Sequence, residues 1–131
     1  MIVLDTSALV AILNKEPERS TFMATIAAND RRLLSAVNLL EARLVMRGRY
    51  GAPGVADLEQ LLEIIEPEIV PFDSDQADAA FAAFEVYGKG INPKSRLNLS
   101  DCIAYALAKS LNAPLLFKGQ DFAATDIAPA A

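Results

Sequence analysis

Short apolar runs alternate with longer amphipathic ones along this sequence, and that alternation limits the fold more than any other feature. IVLD (2–5) reads as a short buried strand, and RLLSA (32–36), EIVPF (68–72) and APLLF (113–117), also too short to be stable helices, read as further strands. Between them, apolar residues recur at helical spacing in TSALVAILN, in residues 17–28 behind Pro17, and in VNLLEARLVMRGRY, which stops by Gly51. The same spacing recurs in VADLEQLLEIIE, ended by Pro67, in DSDQADAAFAAFEVY, and in LSDCIAYALAKSLN. Strand and helix in turn predict an α/β fold around a mostly parallel sheet, with 1–131 as one domain. The expected N-caps are Thr6 or Ser7 for the first helix and Asn98 or Ser100 for the last. Asp73 and Gln76 stand at capping-box spacing.

Composition then removes whole classes of chemistry. The chain has no histidine, so Ser-His-Asp and Cys-His triads and histidine metal sites are excluded. Cys102 is the only cysteine, which rules out an internal disulfide and fits a reducing cytoplasm. A net charge of −5 argues against a general coat for nucleic acid but leaves room for a local basic groove. No apolar run approaches ~18 uncharged residues, and the start lacks the basic segment of a signal peptide, so no membrane association is expected. What remains is carboxylates, hydroxyls, lysine, or a metal.

Four acids stand where such chemistry could gather. Ligands of open α/β sheets bind beyond the carboxyl ends of the strands. Asp5 leaves the first strand there, although an N-cap role is the plain alternative. Glu41 shares a helix stripe with Val37 and Val45, and a carboxylate facing the core needs a partner. Neither Arg43, two positions on, nor Arg47, six positions on, is placed to supply one. Asp101 lies in line with Ala104, Tyr105 and Ala108, and Asp121 follows the last strand. Carboxylates packed together resist ionising unless a cation cancels their charge, and an all-oxygen set favours Mg²⁺ or Mn²⁺. Such a cluster suits water activation and in-line displacement at phosphorus.

VLDTSALVAIL, LLEA and LNLSDCIAYALAKSLNAPLLFKGQDFAATDI resemble the PIN domain, and within it the VapC-type bacterial toxin ribonucleases, over almost the whole chain. The resemblance implies a three-layer α/β/α sandwich that dimerises with a second copy. It implies an endoribonuclease that hydrolyses RNA phosphodiester bonds with Mg²⁺ or Mn²⁺, restrained by a cognate VapB-type antitoxin in a type II toxin–antitoxin module. It makes Asp5 and Asp101 the principal metal ligands, with Glu41 completing the acidic site and Asp121 as the fourth acid. Thr6 or Ser7 would orient Asp5. Gly119 stands where many PIN domains carry Asp or Asn, and Asp126 reads as a turn cap. A receiver-like phosphoacceptor built on Asp5, Asp73 and Lys118 is the rival, but it leaves Glu41 and Asp101 without a role.

Basic residues flank two of the acids. Arg43, Arg47 and Arg49 follow Glu41, and Lys89, Lys94 and Arg96 precede Asp101 in the loop GKGINPKSRLN. Of these, Arg43, Arg47, Lys94 and Arg96 are the expected phosphate contacts. Phe81, Phe84 and Tyr87 read as core or dimer packing. The helices at 17–28 or 55–66 are expected to form part of the dimer surface.

Overall fold

The structure is a computed structural model that describes residues 1–131. Four strands form one parallel sheet in the order β3-β2-β1-β4: β1 (Ile2–Leu4), β2 (Arg32–Ser35), β3 (Glu68–Val70) and β4 (Leu115–Leu116). Alternate residues of the strands feed opposite faces of the sheet. Ile2, Leu4, Leu34 and Leu116 enter one cluster, and Val3, Leu33 and Leu115 enter the other. The first face is covered by α1 (Thr6–Leu13), α2 (Arg19–Ala27) and α3 (Ala36–Ile65), and the second by α4 (Ser74–Tyr87) and α5 (Leu99–Ser110). The result is the expected three-layer α/β/α sandwich. No helix is long and apolar enough to cross a membrane.

α3 is a helical hairpin rather than a rod. Gly51 interrupts it at φ 69°, ψ −156°, a conformation open chiefly to glycine. Arg43 and Glu59, each eight residues from Gly51, meet at 2.8 Å. Sixteen residues of straight helix would hold them roughly 24 Å apart. The halves pack so closely that a Cβ on Gly54 would sit 2.6 Å from the Met46 carbonyl oxygen. The two expected helices on either side of Gly51 are therefore both present.

Two details of the α3 pattern differ from expectation. The stripe facing the core is Asn38, Ala42 and Met46, one position over from Val37 and Val45, which are half-buried at its edge. Leu40 and Leu44 are 54% and 63% exposed. In the helices at 17–28 and 55–66, Phe22, Ile26, Leu58, Leu61 and Ile65 are buried, while Ile64 is 69% exposed. Of the aromatic stripe on α4, Phe84 and Tyr87 pack on the second cluster, while Phe81 faces outward.

Candidate active site

In the order β3-β2-β1-β4 the chain reverses direction across the sheet between β1 and β4. That switch point opens a crevice at the carboxyl ends of the two strands, the usual place for a ligand in an open parallel sheet. Asp5 and Ser7 follow β1 there, and Lys118 follows β4. The backbone N–H of Lys118 donates to Ser7 Oγ at 3.0 Å, and Ser7 Oγ donates to Asp5 Oδ2 at 2.5 Å. The Ser7 backbone N–H donates to the same oxygen at 3.0 Å. Asp5, not Thr6 or Ser7, is thus the N-cap of α1. Its extended backbone, φ −88° and ψ 154°, suits the half-in position of a cap. Both expected roles of Asp5 coexist: Oδ2 caps the helix, while Oδ1 takes no hydrogen bond and opens on the cleft.

Asp101 is held in the same manner. Asn98 caps α5 and accepts from the Asp101 N–H at 2.9 Å, while Asp101 Oδ2 accepts from the Asn98 N–H at 3.1 Å. This reciprocal box fixes the carboxylate and leaves Oδ1 without a partner. The box expected at Asp73 is only half formed: Asp73 accepts from the Gln76 N–H, but the Gln76 side chain reaches Ser110.

Asp5, Glu41 and Asp101 line one open cleft of about 430 Å³, together with Ser7, Asn98 and Ser100. Asp5 and Asp101 are 3% and 8% exposed, and Glu41 is half-buried. Burial, with smaller contributions from the Asp101 and Glu41 charges, pushes the Asp5 carboxyl up to about 7 against the two Ser7 hydrogen bonds. Burial, and then the charges of Asp121 and Glu41, push Asp101 up to about 6 against the Asn98 bond. Asp121 lies outside the cleft lining and is exposed, yet its charge reaches Asp101. None of the four acids forms an ion pair with a lysine or arginine.

The expected auxiliary residues separate. Of Thr6 and Ser7, Ser7 bonds Asp5. The Thr6 hydroxyl instead donates to the Asn38 carbonyl and accepts from Asn38 Nδ2. Arg43 turns to Glu59 on the far side of the α3 hairpin, and Arg47 is exposed outside the cleft. Lys94 and Arg96 lie on the neighbouring loop. Asp126 is occupied by the Tyr105 hydroxyl and by Lys109. Cys102 is buried, and its thiol is pushed up to about 11, so it is an inert core group.

Residues missed by sequence reasoning include Glu16 and the fully buried Asn38. Glu16 lines the cleft and holds Lys118 Nζ at 2.5 Å. Asn38 Nδ2 bridges Thr6 Oγ1 and the Ser100 carbonyl, both at 3.3 Å, and so ties α1 and α5 to α3. A polar residue in register with Ala42 and Met46 was the available sign of it. Arg49, not Arg43, is the arginine of α3 that reaches the cleft.

These donors fit a hard divalent cation. Two anchored aspartates each offer a free oxygen, a third carboxylate stands beside them, and no protein cation offsets their charge. The side chains do not converge into a closed three-ligand cage. Mg²⁺ needs no such cage, since it keeps several waters and takes one or two carboxylates.

The profile of the family described as "PIN domain" matches residues 2–128. The chain belongs to the PIN-domain family. Within that family it falls with the VapC-type toxins. It is 47% identical over 130 residues to Ribonuclease VapC30 of Mycobacterium tuberculosis, covering 99% of this chain and 98% of the relative. It is 44% identical to Ribonuclease VapC of Mycolicibacterium smegmatis, covering 97% and 98%. Among solved structures, Mycobacterium tuberculosis VapC20, a sarcin-ricin loop cleaving toxin, superposes with a TM-score of 0.78 at 15% identity over 97% of this chain and 96% of that one. VapBC2 of Rickettsia felis, bound to a DNA fragment from its promoter, gives 0.75 at 20% identity over 98% and 96%. Those two likenesses show the fold. This PIN domain also sets the receiver-like alternative aside: Asp73 follows the edge strand β3, with β2 between it and the Asp5 strand.

Proposed function

We propose that this chain is a divalent-metal-dependent endoribonuclease, the toxin component of a type II toxin–antitoxin module, acting on RNA phosphodiester bonds. The observation that carries this reading is the cleft at the β1/β4 switch point, where Asp5 and Asp101 are anchored by one oxygen each and no cation of the chain neutralises them. The names of the relatives, ribonucleases of the VapC type, support the reaction class.

Asp5 and Asp101 would hold Mg²⁺ or Mn²⁺ with Glu41 beside them, and the ion would supply Lewis acidity at the phosphate and acidify a nucleophilic water. The chain's own contribution is orientation and charge. Ser7 holds Asp5 so that Oδ1 faces the cleft, and the Asn98 N–H does the same for Asp101. Burial raises the proton affinity of both carboxyls, so a cation competes with protons for them as the pH falls below about 7. Asp121 adds negative charge at the rim. Arg49 stands on the cleft wall without an ion-pair partner and presents a cation to an incoming phosphate, while Lys118 on the same wall is held by Glu16 and Glu18.

The partner we propose is a cognate VapB-type antitoxin. A toxin–antitoxin complex from Klebsiella pneumoniae, of the same fold with a TM-score of 0.71 over 96% of this chain, supports a partner of that kind. We also propose a homodimer, supported by the exposed Leu40, Leu44 and Leu99, and a cytoplasmic location, supported by the single reduced cysteine. Sequencing RNA 5′ ends after brief induction in cells, with Asp5→Asn as control, tests the activity. New ends that appear equally with the control would defeat it. Sedimentation at micromolar concentration tests the dimer, and a monomer alone would defeat that.

A further inference from the structure

Outside the acidic cleft, a pocket of about 490 Å³ lies in the loop between α4 and α5, lined by Lys89, Gly90, Asn92 and Arg96 among others. The segment from Gly88 to Asn98 carries Lys89, Lys94 and Arg96 and no acid, in a chain with 12 basic and 17 acidic residues. Outside the loop Arg31, Arg43, Lys109 and Lys118 are ion-paired, and Lys15, Arg19, Arg32, Arg47 and Arg49, spread from the turn after α1 through α2 and β2 to α3, are not. The three cations of this loop are exposed, and none is paired.

The loop is also built rather than loose. Gly88 and Leu97 pair as a bridge, with the Lys89 N–H on the Leu97 carbonyl and the Leu97 N–H on the Tyr87 carbonyl, both at 2.9 Å. Asn92 Oδ1 accepts from the N–H groups of Lys94 and Ser95, and Asn92 Nδ2 donates to the Val86 carbonyl. Ser95, 1% exposed, donates to the Tyr87 carbonyl at 2.8 Å. Arg96 stands at φ 55°, and the other non-glycine residues with positive φ all lie at helix C-termini, where that conformation is common. Arg96 is two residues from Asn98, which lines the acidic cleft, so at most about 7 Å of chain separates the pocket from the cleft wall.

We propose that the loop Gly88–Leu97 is a second substrate subsite, a pocket that grips backbone phosphates of single-stranded RNA to one side of the scissile bond. A preorganised cluster of unpaired cations beside an anionic catalytic cleft has a polyanion as its natural occupant, because only a strand carrying several phosphates spans both. The choice of RNA rests on the ribonuclease reading above. The pocket reads no sequence itself. It sets how long a strand must be to bind well, since a fragment too short to reach the loop loses those contacts.

The test is equilibrium binding of the wild-type chain in EDTA, so that cleavage is not read, to labelled single-stranded oligoribonucleotides of sixteen and four nucleotides. The comparison is with K89Q/K94Q/R96Q and with a control outside the loop, R31Q/K109Q. For the longer strand, the loop variant should bind tenfold or more weakly, and the slope of log K against log salt should fall by roughly 1.5 to 2, at about 0.7 per phosphate. The four-nucleotide strand should distinguish the variants little. The melting temperature should be unchanged, as these side chains make no hydrogen bond or ion pair. An unchanged affinity and slope would overturn the proposal. So would an equal loss in the control, or duplex DNA held by the same loop as tightly as the RNA strand. A wild-type chain that fails to cut RNA but binds it through the loop would defeat the nuclease reading and leave the subsite standing.

Discussion

Ser7 Oγ donates to Asp5 Oδ2 across 2.5 Å while accepting the Lys118 N–H at 3.0 Å, so one hydroxyl joins the β1 and β4 sides of the cleft. Ser7→Ala removes the charge-assisted bond that orients Asp5 but leaves the backbone bond from residue 7. We expect metal affinity or cleavage to drop about 10- to 100-fold, the usual cost of losing a group that orients a ligand. Titration with Mn²⁺ by calorimetry checks this, and Ser7→Thr should retain most of the affinity.

Asp5→Asn and Asp101→Asn should each abolish metal-dependent cleavage while leaving the circular dichroism spectrum intact. Each also removes a buried charge that repels its neighbours. In EDTA at pH 8 both variants should therefore melt at or above the wild-type temperature. Asp121→Asn, which removes only an exposed rim charge, should cost less activity than either.

The same carboxyls give the metal-free protein an unusual pH dependence. Asp5 near 7 and Asp101 near 6 stand above the unfolded value of about 4. Between about pH 4 and 7 the native state therefore binds more protons than the unfolded one, and stability falls as pH rises. Three units at Asp5 correspond to at most about 4 kcal/mol, and its coupling to Asp101 keeps the two effects from adding. Urea unfolding in EDTA should give greater stability at pH 5 than at pH 8. No histidine titrates in this window to obscure the trend. Saturating Mn²⁺ at pH 8 should restore the loss.

The α3 hairpin gives a stability test remote from the chemistry. Gly54→Ala would place a Cβ 2.6 Å from the Met46 carbonyl oxygen and 2.7 Å from Tyr50 Cβ. We expect a loss of about 2 kcal/mol or more from overpacking. Arg43→Ala breaks only an exposed ion pair and should cost less than about 1 kcal/mol. Denaturant melts of both variants provide the comparison, and equal effects would contradict this packing.

The four strands, most helix boundaries and the candidate acids Asp5, Glu41, Asp101 and Asp121 are legible in the sequence because they depend on near neighbours. Period-two and helical spacing, Pro17, Gly51 and the Asn98 cap act within a turn or two of the chain. Which side of α3 meets the core is not legible in this way. Val37–Glu41–Val45 and Asn38–Ala42–Met46 differ by one position, about 100° around the helix, and the packing of α1, α5 and the sheet against α3 selects the second. The strand order β3-β2-β1-β4 is likewise a tertiary outcome. It puts β4 beside β1 and so brings Lys118 to Ser7 across 111 residues. The hairpin at Gly51 turns Arg43 toward Glu59, and the α1–α2 connection brings Glu16 to Lys118 at the cleft wall. Local spacing sets which side chains share a face, but which faces meet is decided by long-range burial, and that depends on the whole chain at once.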